Sequence, residues 1–148
     1  MQSSFLQSEE FKRQLLNDSG KFLLFGAGGW LMEYGWSGYP HYSRIWNRAE
    51  IPFLPIYAVG GLAGEKILLA ANRHKLPFLA RHLLTTTILS GYELAAGVVA
   101  EKIYDGEKLW DYSDSKYHIK GYVDVSHSFY WFGLSILFEH VFVKPQLK

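Results

Sequence analysis

Apolar residues gather into four runs along this chain. The first is Phe22 to Met32 and continues past Glu33 to Trp36. The second is Ile51 to Gly64. The third is Leu83 to Tyr92, resumed after Glu93 as Leu94 to Ala100, and the fourth is Val125 to Phe138, ending in Glu139 and His140. Aromatic and charged connections lie between them: Gly38 to Glu50, Ala71 to His82, and a long one from Lys102 to Asp124. Residues 1–20 are polar, yet Phe5, Phe11, Leu15 and Leu16 fall on one broad side of a helix, and Ser4 with Gln7 has capping-box spacing. No apolar core follows a basic start there, so the segment is expected to be a short amphipathic helix, not a cleaved secretory signal. The pattern predicts an all-α protein: a single membrane domain over 1–148, with a polar helix over 1–20 and a four-helix transmembrane bundle over 21–143.

The surrounding medium is the harder question. None of the runs reaches the 18 or so uncharged apolar residues that announce a spanning helix. In Leu83–Ala100, each Leu, Ile and Val favours insertion by roughly 0.3–0.6 kcal/mol. One ionised carboxylate near the centre costs about 2.5–3.5 kcal/mol, which nearly cancels the gain. Insertion therefore requires Glu93 to be protonated, paired with a neighbouring helix, or off-centre. Periodicity alone fits a soluble helical domain equally well. Side-chain placement favours the bilayer. Trp36, Trp46 and Trp110, with Tyr34, Tyr39, Tyr42 and Tyr112, sit at or just beyond the ends of the runs, the depth that amphipathic rings prefer. Gly60 with Gly64, and Gly91 with Ala95, have the small-residue spacing that lets helices approach closely.

Composition sharpens this only in part. Aromatic residues make up 17% of the 148 residues and glycine contributes 14, both consistent with close-packed helices and interface belts, whereas a mean hydropathy of -0.04 is low for a membrane protein. Lys+Arg 15 against Asp+Glu 14 leaves a net charge of +1 with mixed signs, so no nucleic-acid partner is expected. Cysteine is absent, which removes disulfides, thiolate metal sites and cysteine nucleophiles.

Several short motifs occur in a recognisable order. Gly29-Trp30-Leu31-Met32-Glu33 resembles the G-W-x-x-E opening of the CmpB-like, type IV ABC-transporter permease family. Pro52-Phe53-Leu54-Pro55-Ile56-Tyr57-Ala58-Val59-Gly60 resembles its P-F-x-P-I-Y-x-x-G. Tyr92-Glu93 through Gly97 to Glu101, then Leu109-Trp110-Asp111-Tyr112-Ser113, resembles its third helix and the following L-W-D-Y-S. His118-Ile119-Lys120-Gly121 resembles its N-x-x-G, with His where Asn is usual, and Trp131-Phe132-Gly133 fits its last helix. The resemblance runs from about Phe22 to Val143. It implies an integral membrane protein and carries over no catalytic residue. The polar Gly38–Glu50 connection departs from the bacterial pattern, where the chain runs into F-L-N-G-P-F; only Ile51-Pro52-Phe53 matches.

Three carboxylates stand out: Glu33, Glu93 and Glu101. Glu93 and Glu101 are about 80° apart around a helix, with Gly97 between them, so they share a broad face. In low dielectric a carboxylate must be protonated, paired or ion-bound. With Trp30, Tyr57, Asp111 and Tyr112 they form a candidate intramembrane site for a proton, a cation or a polar solute. The plainer reading places Glu33 and Glu101 near helix ends in water and gives Glu93 a Tyr, Trp or backbone partner. Asp111 is equally suited to capping a turn or helix start, with Lys116 and Lys120 to neutralise it. The aromatic and charged loop around it is expected to fold back over the carboxylate face.

Other chemistry is poorly supported. Gly60-Gly61-Leu62-Ala63-Gly64-Glu65-Lys66 fails as a phosphate loop, because Glu65 precedes the lysine and Ile67 follows it. Any ATP-driven step would need a separate subunit. The six histidines lack paired ligand spacing, apart from the weak neighbours Glu139-His140. Structural zinc is not expected without cysteine, and no nucleophile elbow is present. Asn17-Asp18-Ser19 is a sequon that occurs often by chance. No enzyme activity and no cofactor are expected. The readings are a permease-like protein binding or passing a polar solute or ion, or a structural, accessory subunit packing against lipids and other membrane subunits. A lipid-acting enzyme lacks a visible catalytic constellation. Lys12, Arg13, Lys21, Arg73, Lys75, Arg81, Lys144 and Lys148 on one side outnumber Arg44, Arg48, Lys102, Lys108, Lys116 and Lys120 on the other, which favours cytoplasmic or matrix termini.

Overall fold

The computed structural model describes residues 17–32, 35 and 53–147. Residues 1–16, Glu33 and the Gly38–Glu50 connection lie outside them, so the amphipathic helix, but for residues 17–20, and one candidate carboxylate do too. The chain divides into two compact units, Met1–Leu62 and Ala63–Lys148.

In the first unit, residues 17–32 are helical (α1), and a second helix, α2 (Phe53–Arg73), begins. The two meet through a reciprocal pair of rings and glycines. A Cβ on Gly29 would lie 2.3 Å from the Tyr57 ring, and one on Gly61 would lie 2.7 Å from Phe25. Phe25 and Gly29 are one turn apart, as are Tyr57 and Gly61, so each helix supplies one knob and one hollow. Phe25 and Ala58 are buried there. Neither Gly29 nor Gly61 belongs to the small-residue pairs read from the sequence.

The second unit holds the remainder of α2, then α3 (Phe78–Ile103), a minimal antiparallel ladder of β1 (His118–Ile119) and β2 (Val123–Asp124), and α4 (Val125–Phe138). His118 faces Asp124 in that ladder and Ile119 faces Val123. From α4 the chain continues through a π-helical turn, Glu139–Val143, and a 3₁₀ turn, Lys144–Gln146. Leu68, Leu69 and Val143 form a buried cluster with Phe138 against it. Gly64 rests on Leu89 at ordinary contact distance, 3.6 Å. Gly91, by contrast, has open space around it, and Ala95 is exposed, so among the described residues that pair makes no close helix approach.

One connection read from the sequence is corrected. Ala71 to His82 shrinks, because α2 runs on to Arg73 and α3 starts directly after Pro77, whose φ of -55° and ψ of 151° set up the first turn. The boundary follows proline and backbone hydrogen bonding; apolarity had misplaced it. The long connection from Lys102 to Asp124 keeps its place between α3 and α4 and carries the β-ladder.

α3 has 26 residues, about 39 Å at the helical rise, and among the described residues it alone is long and apolar enough to cross a membrane. Its Leu79, Leu83, Leu84, Ile88, Val99 and Ile103 are exposed, as are Phe129, Leu137 and Val141 on α4 and its continuation.

Candidate functional site

Glu93, Gly97 and Glu101 succeed one another at intervals of four residues and form one stripe of α3. The loop between Tyr104 and Asp124 folds back onto it. The Tyr112 hydroxyl donates to Glu93 Oε1 at 3.3 Å, and Trp131 Nε1 on α4 donates to Oε2 at 3.2 Å. One turn on, Gly97 is buried: a Cβ there would lie 2.6 Å from Tyr122 Cδ1 and 3.3 Å from Trp110. Beyond it, the Tyr122 hydroxyl donates to Glu101. Trp110 Nε1 donates to the Tyr122 carbonyl at 2.9 Å and fixes both rings over the glycine.

Local polar chemistry shapes this loop. Asp111 Oδ1 accepts from the Ser113 backbone N–H at 3.0 Å and from the Ser113 hydroxyl, an Asx turn. The Ser113 hydroxyl, with its backbone N–H and the Lys108 ammonium, holds the Asp111 carboxyl below its ordinary range. Lys108, not Lys116 or Lys120, is the cation beside it, at 3.2 Å, and Lys120 contributes its carbonyl to the same ammonium. Gly121, at φ +75°, closes the knot, where a Cβ would strike Asp111, Ser113 and Lys108 within 2.6 Å. Its N–H donates to His118 Nδ1 at 2.9 Å. Asn Oδ1 would present an acceptor at nearly the same place.

The loop's exit is equally defined. Asp124 caps α4, accepting from the His127 backbone N–H at 3.3 Å, with His127 Nδ1 at 3.0 Å and the Ser115 hydroxyl as further partners. Those hydrogen bonds, the Ser115 one foremost, bring its carboxyl down to about 2. The His127 ring lies 4.5 Å from that of Tyr112, joining the cap to the Glu93 contact.

Of the residues predicted from sequence, Glu93 meets Tyr112, Glu101 two turns on meets Tyr122 instead, and Asp111 holds the loop through Ser113 and Lys108. Trp30 and Tyr57 belong to the first unit, where Tyr57 covers Gly29. Glu33 lies outside the described residues.

A second cluster was missed. Glu139, fully buried, lies 3.0 Å from Arg81 Nε and 2.8 Å from His82 Nε2, and Asn72 also bonds it. His82, equally buried, places Nδ1 2.9 Å from Ser135 Oγ. The Ser135 hydroxyl is also 2.7 Å from the Phe132 carbonyl. Sequence reading had put Arg81 and His82 in a connection. The available signal was that Ser135 and Glu139 lie one turn apart at the end of an apolar run. An antiparallel α3–α4 pair brings that end onto the start of α3. Ser135, His82 and Glu139 have the order of a hydrolytic triad, but the serine sits inside a helix and is buried, without the exposed turn such a nucleophile requires. Among the described residues no group of three His, Asp or Glu side chains is placed to hold a metal ion.

The family model described as "Putative ABC-transporter type IV" matches residues 21–148, most of the chain. No curated protein and no solved structure matches it.

Proposed function

Because the chain belongs to this ABC-transporter type IV family, we propose that it is an integral membrane protein acting as an accessory, packing subunit of a transport-related assembly. The observation that carries this reading is that Glu93 and Glu101 each accept hydrogen bonds from tyrosines of the folded-back loop. Carboxylates so engaged hold a lid in place; a solute would have to displace Tyr112 and Tyr122 to reach them. The exposed leucines of α3 and the exposed Phe129, Leu137 and Val141 supply a surface for lipid and partner helices. α4 joins its π turn without a break, giving a helical path of roughly 28 Å. That supports a second crossing beside α3. With α1 and α2 it makes the four-pass bundle, whose termini face the cytoplasm or matrix by charge bias. ATP hydrolysis, where coupled, belongs to another subunit.

Extraction of the native membrane with a mild detergent tests this. The expected result is a complex of fixed stoichiometry containing this chain; recovery as a homogeneous monomer that retains the transport phenotype overturns it. Solute or ion binding by the reconstituted chain alone, abolished in Glu93→Gln, would instead establish the permease-like reading.

A further inference from the structure

The buried histidine of the second cluster has an unusual freedom. His82 is walled by the Phe78 ring at 4.5 Å and the Phe132 ring at 5.9 Å, which fix its plane. Its Nε2 lies 2.8 Å from a Glu139 carboxylate oxygen, too close for two facing lone pairs, so that nitrogen keeps its hydrogen whichever way the site is charged. Its Nδ1 meets Ser135 Oγ, and that hydroxyl has two acceptors in reach: Nδ1 itself at 2.9 Å and the Phe132 carbonyl at 2.7 Å.

We propose that Ser135, His82 and Glu139 form a buried proton-binding site in which the serine hydroxyl is the rotor. In the neutral state the hydroxyl donates to Nδ1. On uptake, a hydronium ion gives a proton to the Nδ1 lone pair and is left as water, and the hydroxyl turns to the Phe132 carbonyl. Its oxygen then accepts from the new Nδ1–H. Release reverses each step, and within the protein only the Nδ1–H bond forms or breaks. Both states leave Nδ1 and the hydroxyl paired, which is the condition for a buried group to exchange a proton without stranding a polar atom.

Charged groups of both signs surround the ring. The Glu139 carboxylate lies against the ring, the Arg81 guanidinium of α3 lies against that carboxylate at 3.0 Å, and His140 follows on the α4 continuation. His140 itself contacts Lys144 at 2.7 Å. From α2 comes the uncharged Asn72, bonded to Glu139, while the buried Glu65 of that helix accepts from Gln146. Proton uptake thus changes the charge at the place where α2, α3 and α4 meet.

The test is a titration of the full chain in phosphatidylcholine nanodiscs with ¹⁵N-labelled histidine. Ring-nitrogen resonances are followed from about pH 4 to about pH 9, the range a histidine covers, and His82→Gln assigns the His82 signals. The expected result is one reversible step in which the Nδ1 resonance moves from the unprotonated to the N–H position while Nε2 stays at the N–H position. Ser135→Ala should lower the midpoint by about one pH unit or more, a tenfold loss of proton affinity, because the imidazolium loses its acceptor. Ser135→Thr should restore it. His82 resonances constant over the whole range overturn the site, and Ser135→Ala titrating like the wild type overturns the rotor. Should Ser135→Ala fail to fold, the wild-type and Ser135→Thr curves decide the site by themselves.

Discussion

Tyr122 occupies the space that a side chain on Gly97 would need. A Cβ there would stand 2.6 Å from the ring's Cδ1, and the same tyrosine reaches on to Glu101. Gly97→Ala must therefore lift the ring and with it the loop. A cost of about 1–3 kcal/mol is expected, the range for overpacking a filled site. Gly91→Ala on the same helix meets nothing and should gain roughly 0.5–1 kcal/mol from helix propensity. Thermal unfolding of both variants in one detergent checks the contrast, which fails if they shift in the same direction.

Glu93 accepts two hydrogen bonds, from Tyr112 and Trp131. A glutamine offers one acceptor oxygen for those two donors, so Glu93→Gln should cost about 1–3 kcal/mol. Tyr112→Phe removes one donor, and the pair should therefore be coupled by about 0.5–3 kcal/mol in a double-mutant cycle. Strict additivity would mean that the contact carries no energy.

Asp124 yields a pH dependence with a definite sign. Folding lowers its carboxyl from the usual 3.8 to about 2, so the native state binds its proton less readily than the unfolded chain does. Its contribution is fully present above pH 3.8 and is lost as the pH falls through about 2. Amide exchange at His127, whose N–H the carboxylate caps, should accelerate over that window in the wild type. Asp124→Asn should be flat across it.

Glu139 is the anion of the buried cluster. Glu139→Ala strands Arg81 and, when it is protonated, His82, and should destabilise by about 3–5 kcal/mol. Replacing Arg81 and Glu139 together by Met and Leu removes both charges and should cost less than the single alanine. Chemical denaturation of the two variants settles the order.

His118 offers a single acceptor to the Gly121 N–H. His118→Asn should be close to neutral, whereas His118→Ala should cost about 0.5–1.5 kcal/mol and loosen the loop, read from the emission of Trp110. Equal losses in both variants would refute the shared-acceptor explanation.

Local pattern alone determined much here. Apolar runs located four helices because burial or lipid contact selects for contiguous hydrophobicity. The spacing of Glu93, Gly97 and Glu101 put them on one stripe because helical periodicity is a property of the backbone. The aromatic loop could be matched to that stripe by composition. Tertiary structure decided which atoms meet. Tyr122 lies on Gly97, Lys108 and not Lys116 lies on Asp111, and Arg81, His82 and Glu139 lie on one another, across separations that no local pattern encodes. That last cluster was invisible for a physical reason. Charged residues at the edge of an apolar run look like solvated linkers until a partner from another helix arrives, and only packing brings the partner that makes their burial affordable.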